Sequence, residues 1–382
     1  MIRSWNLRHS TTVRICGLED IKRLQMLDIA TYITGLVRTK QSMNVIDAIR
    51  ALPKVELHVH TLGSIQPATL LHIIRTEGFD TQYNTVDDLI QRFQFTDFAH
   101  FIEVYAEITR YINDEKHFEH ITYDMLEKCS ECNTRYVEAS FSPRDHLQHD
   151  LDFSMMVKSI NRGIKRAKDT FGIESNIRVD LVRSSTIDEA MEVLDFIEEN
   201  PDNIVSIDIG GDESSWPPRR FAPVYERAKE MGLHLVAHAG EAAGPQSIWD
   251  AIEYLKVERI GHGVTARHDA KLVEVLKEKR IGIEMNPVSN VRTGVVPSLK
   301  EHPIREFYDE GLLVTVSSDD PSLFHTDLNN EFIQLNRHLG FGLSELFDIS
   351  MIGLDLSFID STMKSKLKET FQREYESIMA VQ

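Results

Sequence analysis

His58 and His60 are separated by one residue at the end of a short apolar run, in the motif His58-Val59-His60. Because side chains at positions i and i+2 of a β-strand point to the same side, both imidazoles are expected to face one way. Neutral imidazole is a common zinc ligand, so this pair predicts a shared metal site. On this motif alone, a pair of buried histidines with satisfied hydrogen bonds remains an alternative.

Three further polar clusters each follow an apolar run. They are His238-Ala239-Gly240-Glu241, Gly261-His262-Gly263 and Ser317-Ser318-Asp319-Asp320-Pro321. Three histidines and one carboxylate can hold zinc and leave a position for water, whose pKa falls toward ~7. Gly240 permits a sharp turn that returns Glu241 over the site, where it can move protons. The alternatives are a buried histidine before a helix-start glutamate, and an aspartate that caps a helix.

Eight apolar runs that are typical of buried β-strands alternate with helical patterns along the chain. The runs are Val55–His60, Arg135–Phe141, Ile177–Val182, Ile204–Ile209, His234–Ala239, Arg259–His262, Gly282–Asn286 and Leu312–Ser317. This alternation predicts an α/β fold with a parallel sheet, and eight units predict a (β/α)8 barrel, or TIM barrel. The four polar clusters end the first, fifth, sixth and eighth runs, where barrel enzymes carry their active sites.

Two stretches stand outside this alternation. Residues 64–134, between the first and second strands, contain several helical patterns with many aromatic residues. We expect a helical insertion that acts as a lid, with an ordinary helical subdomain as the alternative. Residues 1–42 are expected to form a helical or disordered N-terminal extension to a barrel of residues 43–382. A transit peptide, or a start codon assigned upstream of the native one, would also explain this extension.

The chain carries 42 basic and 60 acidic residues, for a formal net charge of −18. Such a surface repels phosphate backbones and anionic lipids, so neither nucleic acid nor a membrane is expected as a partner. Three cysteines in 382 residues do not form a disulfide framework, and the sequence has no apolar run long enough for a membrane span. We therefore expect a cytoplasmic protein with a small-molecule substrate, as a monomer or a homo-oligomer.

From Leu52 to the C-terminus, the chain resembles the adenosine deaminase family, a branch of the amidohydrolase barrels. The segments that carry the resemblance are Pro53-Lys54-Val55-Glu56-Leu57-His58-Val59-His60, Tyr136-Val137-Glu138, Asp208-Ile209-Gly210-Gly211-Asp212-Glu213, His238-Ala239-Gly240-Glu241, Arg259-Ile260-Gly261-His262-Gly263 and Ser318-Asp319-Asp320-Pro321. Their order and spacing make the resemblance specific. It implies that residues 43–382 are a metal-dependent deaminase barrel with one Zn²⁺ per chain, acting on a purine nucleoside.

The resemblance also implies a role for each polar residue of the site. The implied zinc ligands are His58, His60, His238 and Asp319. Glu241 would be the catalytic acid that protonates ring nitrogen N1, and His262 would orient the attacking water and help to manage its proton. Asp320 and the backbone N–H of Gly211 would bind the substrate at N7 and N3, and His60 would also contact it.

One position departs from the family pattern. Adenosine deaminases usually carry an aspartate two residues after the second histidine, held to contact the ribose, but this chain has Leu62. The first expectation is deamination of adenosine or 2′-deoxyadenosine to the 6-oxo product, inosine for adenosine, and ammonia. Because leucine cannot accept a hydrogen bond from a hydroxyl, the alternative is adenine or a 5′-modified adenosine such as methylthioadenosine. Gly261 also differs from the aspartate that is often found there in adenine deaminases.

Two interpretations from other functional classes were weighed. A zinc-binding barrel without catalysis is disfavoured because Glu241 and His262, the residues that would handle protons, are both present. A two-metal hydrolase of cyclic amides is disfavoured because these enzymes usually carry a bridging lysine, and the predicted strand ends of this sequence show none.

Overall fold

The computed structural model describes residues 43–96, 98–147 and 149–382, so the expected N-terminal extension lies outside the described residues. Eight parallel strands pair in chain order, each with the next. Their bounds are β1 Lys54–His60, β2 Thr134–Phe141, β3 Glu174–Val182, β4 Ile204–Gly210, β5 His234–Ala239, β6 Arg259–His262, β7 Gly282–Met285 and β8 Val314–Val316. Each predicted run overlaps its strand. The largest shift is in β3, which begins at Glu174 rather than Ile177.

Backbone hydrogen bonds between β1 and the residues after β8 close the sheet. The N–H of Asp319 donates to the carbonyl of His58 at 3.1 Å, and the N–H of His60 donates to the carbonyl of Asp319 at 2.8 Å. The hydroxyl of Ser317 accepts from the N–H of Leu57 at 3.3 Å and of His58 at 3.2 Å. The expected (β/α)8 barrel is therefore confirmed, and closure removes the exposed edges of the sheet.

Helices cover the outside of this barrel. Their bounds in the described residues are α1 Val45–Ala51, α2 Pro67–Glu77, α3 Val86–Arg92, α4 Phe98–Arg110, α5 His117–Glu131, α6 Arg144–Leu147, α7 Phe153–Phe171, α8 Ile187–Glu199, α9 Ala222–Glu230, α10 Pro245–Asp250, α11 Ala270–Glu278, α12 Pro287–Arg292, α13 Ile304–Asp309, α14 Pro321–Phe324, α15 Leu328–Leu339, α16 Leu343–Leu356 and α17 Ser361–Met379. None of these helices has the length and apolarity that a bilayer crossing requires.

Local sequence signals set where several helices begin and end. At the start of α8, the hydroxyl of Thr186 accepts from the N–H of Glu189 at 3.2 Å, while the Glu189 carboxylate accepts from the N–H of Thr186 at 2.8 Å. This reciprocal pair satisfies two backbone donors that the first helical turn would otherwise leave without partners. Helix α7 ends at Gly172, whose φ of 71° is a left-handed conformation that glycine adopts without strain.

The residues between β1 and β2 form the expected helical insertion, which contains α2 to α5. Helix α5 packs against α7 on the barrel wall, where the Glu119 carboxylate accepts from Arg162 Nε at 2.7 Å. Helix α4 reaches the other end of the insertion. There the ring of Phe101 stacks on Phe324 of α14 with centroids 5.2 Å apart. Because α14 follows the strand β8, the insertion contacts the carboxyl end of the barrel.

Lys54 lies at the opposite, amino-terminal end of the barrel and is fully buried. Its Nζ donates to the carbonyls of Ile49 at 2.9 Å, Leu52 at 2.8 Å and Cys132 at 3.1 Å. The ammonium group therefore joins the end of α1, the start of β1 and the end of α5. Burial lowers its pKa to about 7. A buried cation is tolerated only with such partners.

Replacing Lys54 with Met should lower the free energy of unfolding by about 2–4 kcal/mol, because buried carbonyls lose their donor. Thermal or urea unfolding measures the change. Lys165→Met is the matched control, since Lys165 is exposed on α7 and should give a wild-type midpoint. Equal midpoints for the two variants would show that Lys54 does not stabilise this end of the barrel.

Candidate functional site

Four imidazoles gather at the carboxyl end of the barrel, where β1, β5 and β6 end. The ring centroid of His58 lies 4.5 Å from that of His238 and 4.9 Å from that of His262. It lies 5.3 Å from the ring of His60. The Oδ1 atom of Asp319 lies 3.4 Å from His58 Nε2 and 3.2 Å from His60 Nε2. The residues that were expected to bind metal are thus in one cluster.

Three of these imidazoles have a buried carboxylate next to Nδ1, and those of His58 and His238 are hydrogen-bonded to it. The pairs, with the distance from Nδ1 to the nearest carboxylate oxygen, are His58–Glu284 at 2.9 Å, His60–Asp180 at 3.1 Å and His238–Asp208 at 2.9 Å. A carboxylate at Nδ1 fixes the proton on that nitrogen, sets the direction of the ring and leaves the lone pair of Nε2 for a metal. Histidine ligands of zinc are usually supported in this way.

The resulting donor set fits a zinc ion. It has three imidazole nitrogens and one carboxylate oxygen, the ligand types that zinc takes in catalytic sites. His58 Nε2 is buried and has no hydrogen-bond partner among the described residues, although a polar atom in that position requires one. Burial lowers the pKa of His60, but Asp320 and Asp180 oppose it more strongly and raise that pKa well above its usual value. Negative charge at this point therefore favours a cation.

His262 differs from the other three histidines. Its Nδ1 faces amide side chains instead of a carboxylate: Asn290 Nδ2 lies at 3.0 Å, and in the amide orientation that satisfies Asn286, the Asn286 oxygen lies at 3.3 Å and accepts from Nδ1. Its Nε2 lies 3.6 Å from Glu241 Oε2 and 4.0 Å from Asp319 Oδ2. Ligand atoms of His58, His238, His262 and Asp319 lie within 4.8 Å of one another, whereas His60 groups with Asp319 and Asp320. Without a carboxylate at Nδ1, His262 lacks the support that raises ligand basicity. Burial lowers the pKa of His262 well below its usual value, so it is neutral and can accept a proton.

The backbone is unusual at two of these residues. His262 has φ of 62° and Asp319 has φ of 65°, both in the left-handed region that non-glycine residues rarely adopt. His262 is the last residue of β6 and Asp319 follows the end of β8, so the left-handed step turns the chain at the mouth of the barrel. Strained conformations of this kind cost about 1–3 kcal/mol and cluster at functional sites.

Glu241 lies on the turn after β5, with its carboxylate next to His262. Burial and the neighbouring Asp319 raise its pKa to about 8, so it carries a proton at neutral pH and can donate it. The turn depends on Gly240, which has φ of 73°. A Cβ atom at Gly240 would lie 2.4 Å from Ile248 Cδ1, so only glycine fits.

Asp320 and Gly211 lie on opposite sides of this centre, after β8 and β4. Burial and Asp319 raise the pKa of Asp320 to about 7, and its Oδ1 atom has no partner among the described residues. Gly63 packs so closely on Asp320 that a Cβ atom there would overlap the carboxylate. Gly211 has φ of 100° and an open neighbourhood, with Arg183 N as the nearest atom at 3.9 Å from a built Cβ.

Arg178 of β3 is the main residue of this site that the sequence did not reveal. Its Nη1 atom lies 2.8 Å from Glu284 Oε2, and its Nη2 atom lies 2.9 Å from Asp208 Oδ2. It therefore bridges the two carboxylates that hold His58 and His238. A charged residue inside an apolar strand was the available signal, because Arg178, Asp208 and Glu284 each interrupt a run of Ile and Val.

The chain is similar to several known proteins. A family model described as adenosine deaminase matches residues 53–374. The chain is 35% identical to a protein named aminodeoxyfutalosine deaminase from Streptomyces coelicolor, over 84% of this chain and 84% of that protein. It is 32% identical to one named adenine deaminase from Vibrio parahaemolyticus, over 85% and 96% of the two chains. The crystal structure of an adenine deaminase from Arthrobacter aurescens superposes with a TM-score of 0.81 at 28% identity, covering 86% of this chain and 99% of that one.

Replacing Arg178 with Met should lower the free energy of unfolding by about 3–5 kcal/mol, because buried Asp208 loses its guanidinium partner and Glu284 keeps only Arg259. Zinc affinity should fall by about 10- to 100-fold, since His58 and His238 lose the groups that orient them. Competition with a chelator measures the affinity, and thermal unfolding measures the stability. Arg166→Met, which breaks an exposed ion pair on α7, should change neither by much. Wild-type zinc affinity in the Arg178 variant would contradict this role.

Proposed function

The chain belongs to the adenosine deaminase family, and from this membership we propose that it catalyses the zinc-dependent hydrolytic deamination of a 5′-modified adenosine. The observation that carries the chemistry is the protonated Glu241 beside a cluster of histidines whose rings are held by carboxylates. The product is the 6-oxo purine with release of ammonia. Adenine is the second candidate, since relatives named adenine deaminase are 32% identical to the chain.

The substrate proposal rests on Leu62 and Gly261. Leu62 is 5% exposed, lies just after β1 and packs in the apolar core, where it offers no acceptor for a 5′-hydroxyl. A buried hydroxyl without a partner costs about 1–3 kcal/mol, so an apolar 5′ substituent is better tolerated. A Cβ atom at Gly261 would lie 2.9 Å from His58 Cε1, which leaves no room for the aspartate often found there in adenine deaminases. Adenosine, the first expectation from the sequence, is therefore less well supported than its alternative.

We assign one zinc ion per chain to His58, His60, His238 and Asp319. His60 is preferred to His262 as the third nitrogen ligand, because Asp180 supports its Nδ1 whereas only amides face that of His262. When bound, zinc supplies the Lewis acidity that makes water a nucleophile near neutral pH. The remaining polar residues of the cluster are then free for proton transfer and substrate binding.

The other residues act on the purine and the water. Glu241 donates its proton to ring nitrogen N1, which makes C6 electrophilic, and neutral His262 accepts the proton of the attacking water. Purine N7 is an acceptor, so Asp320 must be protonated to bind it, as its pKa of about 7 allows. The N–H of Gly211 faces N3. Proton donors on both sides of the ring stabilise the negative charge that develops during attack.

Residues 64–134 act as the lid of this site. The support is the contact of Phe101 with Phe324, four residues after Asp320 along the chain. A second contact is Gln94 Nε2, 2.5 Å from Nε2 of His325. Tyr105 lies in the same helix as Phe101, and burial together with Asp145 and Asp320 raises its pKa well above the usual value. A lid that excludes water strengthens each polar contact inside.

The proposed ligand and compartment follow from charge and cysteine chemistry. A neutral purine substrate is compatible with a net charge of −18, whereas polyanions are not. Cys129 and Cys132 are unpaired and buried, which fits the reducing cytoplasm.

The value of kcat/KM should fall as the pH rises through about 8, because the general acid works in its protonated form and Glu241 loses its proton there. A pH profile with the best 6-aminopurine substrate tests this expectation. Glu241→Gln should abolish that limb and lower kcat by about 10²- to 10⁴-fold while zinc stays bound. An unchanged alkaline limb in the Gln variant would assign the proton to another group.

Replacing Leu62 with Asp should restore an acceptor for the 5′-hydroxyl. The ratio of kcat/KM for adenosine to that for 5′-methylthioadenosine should rise by about 10- to 100-fold. Absorbance assays with both nucleosides and with adenine give the ratios. Leu62→Ala, which shortens the side chain without adding an acceptor, is the control and should leave the ratio close to that of the wild type. If both variants give the same ratio, Leu62 does not face the sugar.

A further inference from the structure

The carboxylate of Glu213, after β4, accepts hydrogen bonds from four consecutive backbone N–H groups. Its Oε1 accepts from Gly240 at 2.5 Å. Its Oε2 accepts from Glu241 at 3.1 Å, Ala242 at 2.7 Å and Ala243 at 2.9 Å. Glu213 is only 5% exposed. Successive backbone N–H groups that converge on one anion form a concave nest, which binds negative charge tightly.

This nest does not cap a helix. Helix α10 begins at Pro245, after the four N–H groups, and its N-cap Gly244 has no side chain to contribute. The four N–H groups belong to the turn that leads from the carboxyl end of β5 to α10 and contains Glu241. Without Glu213, these donors would be left without a protein acceptor near the centre of the site, at a cost of about 1–3 kcal/mol for each one that water does not reach.

Arg183 holds the two segments that flank this nest. Its Nη1 atom donates to the carbonyl of Trp216 at 2.7 Å, and its Nη2 atom donates to the carbonyl of His238. Arg183 is fully buried, so both ends of the Glu213 loop are tied to β5 by charged side chains. The hydroxyl of Thr265 adds bonds to the carbonyls of Gly240 and Ala243, at 3.2 and 3.0 Å.

We propose that Glu213 is the positioning residue of the proton donor: by binding the N–H groups of residues 240–243, it fixes the direction in which Glu241 points into the site. This inference rests on the proposed function, in which Glu241 protonates the purine. Glu213 does not touch the substrate in this scheme and acts through the backbone of the turn. A misplacement of a reacting group by about 1 Å can cost about 100-fold in rate, so a rigid turn has a direct catalytic value.

The charge of Glu213 has a second consequence. After burial and Asp319, Glu213 is a further cause that raises the pKa of Glu241. Removing this charge without changing the shape of the side chain should shift the alkaline limb of the pH profile to lower pH. A residue that only stabilises the fold would lower the amount of active enzyme without moving that limb.

Glu213→Gln tests the proposal, with Glu213→Asp as the conservative variant and Glu226→Gln, an exposed glutamate on α9, as the control. Hydrogen exchange of the peptide that covers residues 240–243, measured by mass spectrometry without substrate, reports the nest directly. In Glu213→Gln we expect faster exchange of this peptide, a kcat lower by about 10- to 100-fold at unchanged zinc content, and an alkaline limb at lower pH. Glu213→Asp keeps the charge and should keep the limb, with a smaller loss of kcat.

Unchanged exchange and a wild-type kcat in Glu213→Gln would overturn the proposal, and so would a loss of kcat that only follows lost zinc. If the Gln variant does not fold, the Asp variant decides: a wild-type kcat together with faster exchange would refute the positioning role. Failure of the proposed function looks different. The wild-type protein would then turn over no 6-aminopurine, whereas the exchange of residues 240–243 would still respond to Glu213→Gln.

Discussion

Arg178 lies inside the barrel between Glu284 and Asp208, and the histidines that we assign to zinc depend on this bridge for their position. Each of the two carboxylates holds one imidazole by its Nδ1 atom. Burying an isolated carboxylate is costly, and here Arg178 pairs with both anions while Arg259 also pairs with Glu284 at 2.7 Å. Arg178 also donates to the carbonyl of Leu57 at 2.8 Å, which ties the same network to β1. One guanidinium thus joins the backbone of the first strand to carboxylates on β4 and β7.

The nearest charge decides whether a buried carboxylate of the site is an anion or carries a proton. Burial raises the pKa of Asp208, but His238 and Arg178 outweigh this effect, so the group remains an anion that orients a ligand. Burial likewise raises the pKa of Glu284, but Arg178 and Arg259 lower it more strongly. For Glu241 and Asp320, the charge that acts together with burial is the anion Asp319 rather than a guanidinium, and their pKa values rise to about 8 and about 7. The barrel therefore holds proton donors and anions within one small volume.

The sequence by itself determined the barrel and the place of the site. Side chains alternate along a strand, and parallel strands end at one face, so polar residues that end apolar runs must converge there. This reasoning was sufficient for His58, His60, His238 and Asp319, which the structure brings together. The insertion after β1 was also visible, because about 70 residues there show helical patterns and no strand-like run. These features depend on local pattern and on strand order.

Only the tertiary structure decided how the site is held. Arg178 and Glu284 are 106 residues apart in the chain, and Glu213 lies 27 residues before the first N–H group that it binds. Neither spacing is periodic, so no local pattern predicts these contacts. The left-handed backbone at His262 is likewise invisible in its side chain, since β-strand patterning says nothing about the residue that ends the strand. Ring orientation and protonation depend on which charges are nearest in space, and barrel closure alone brings those charges together.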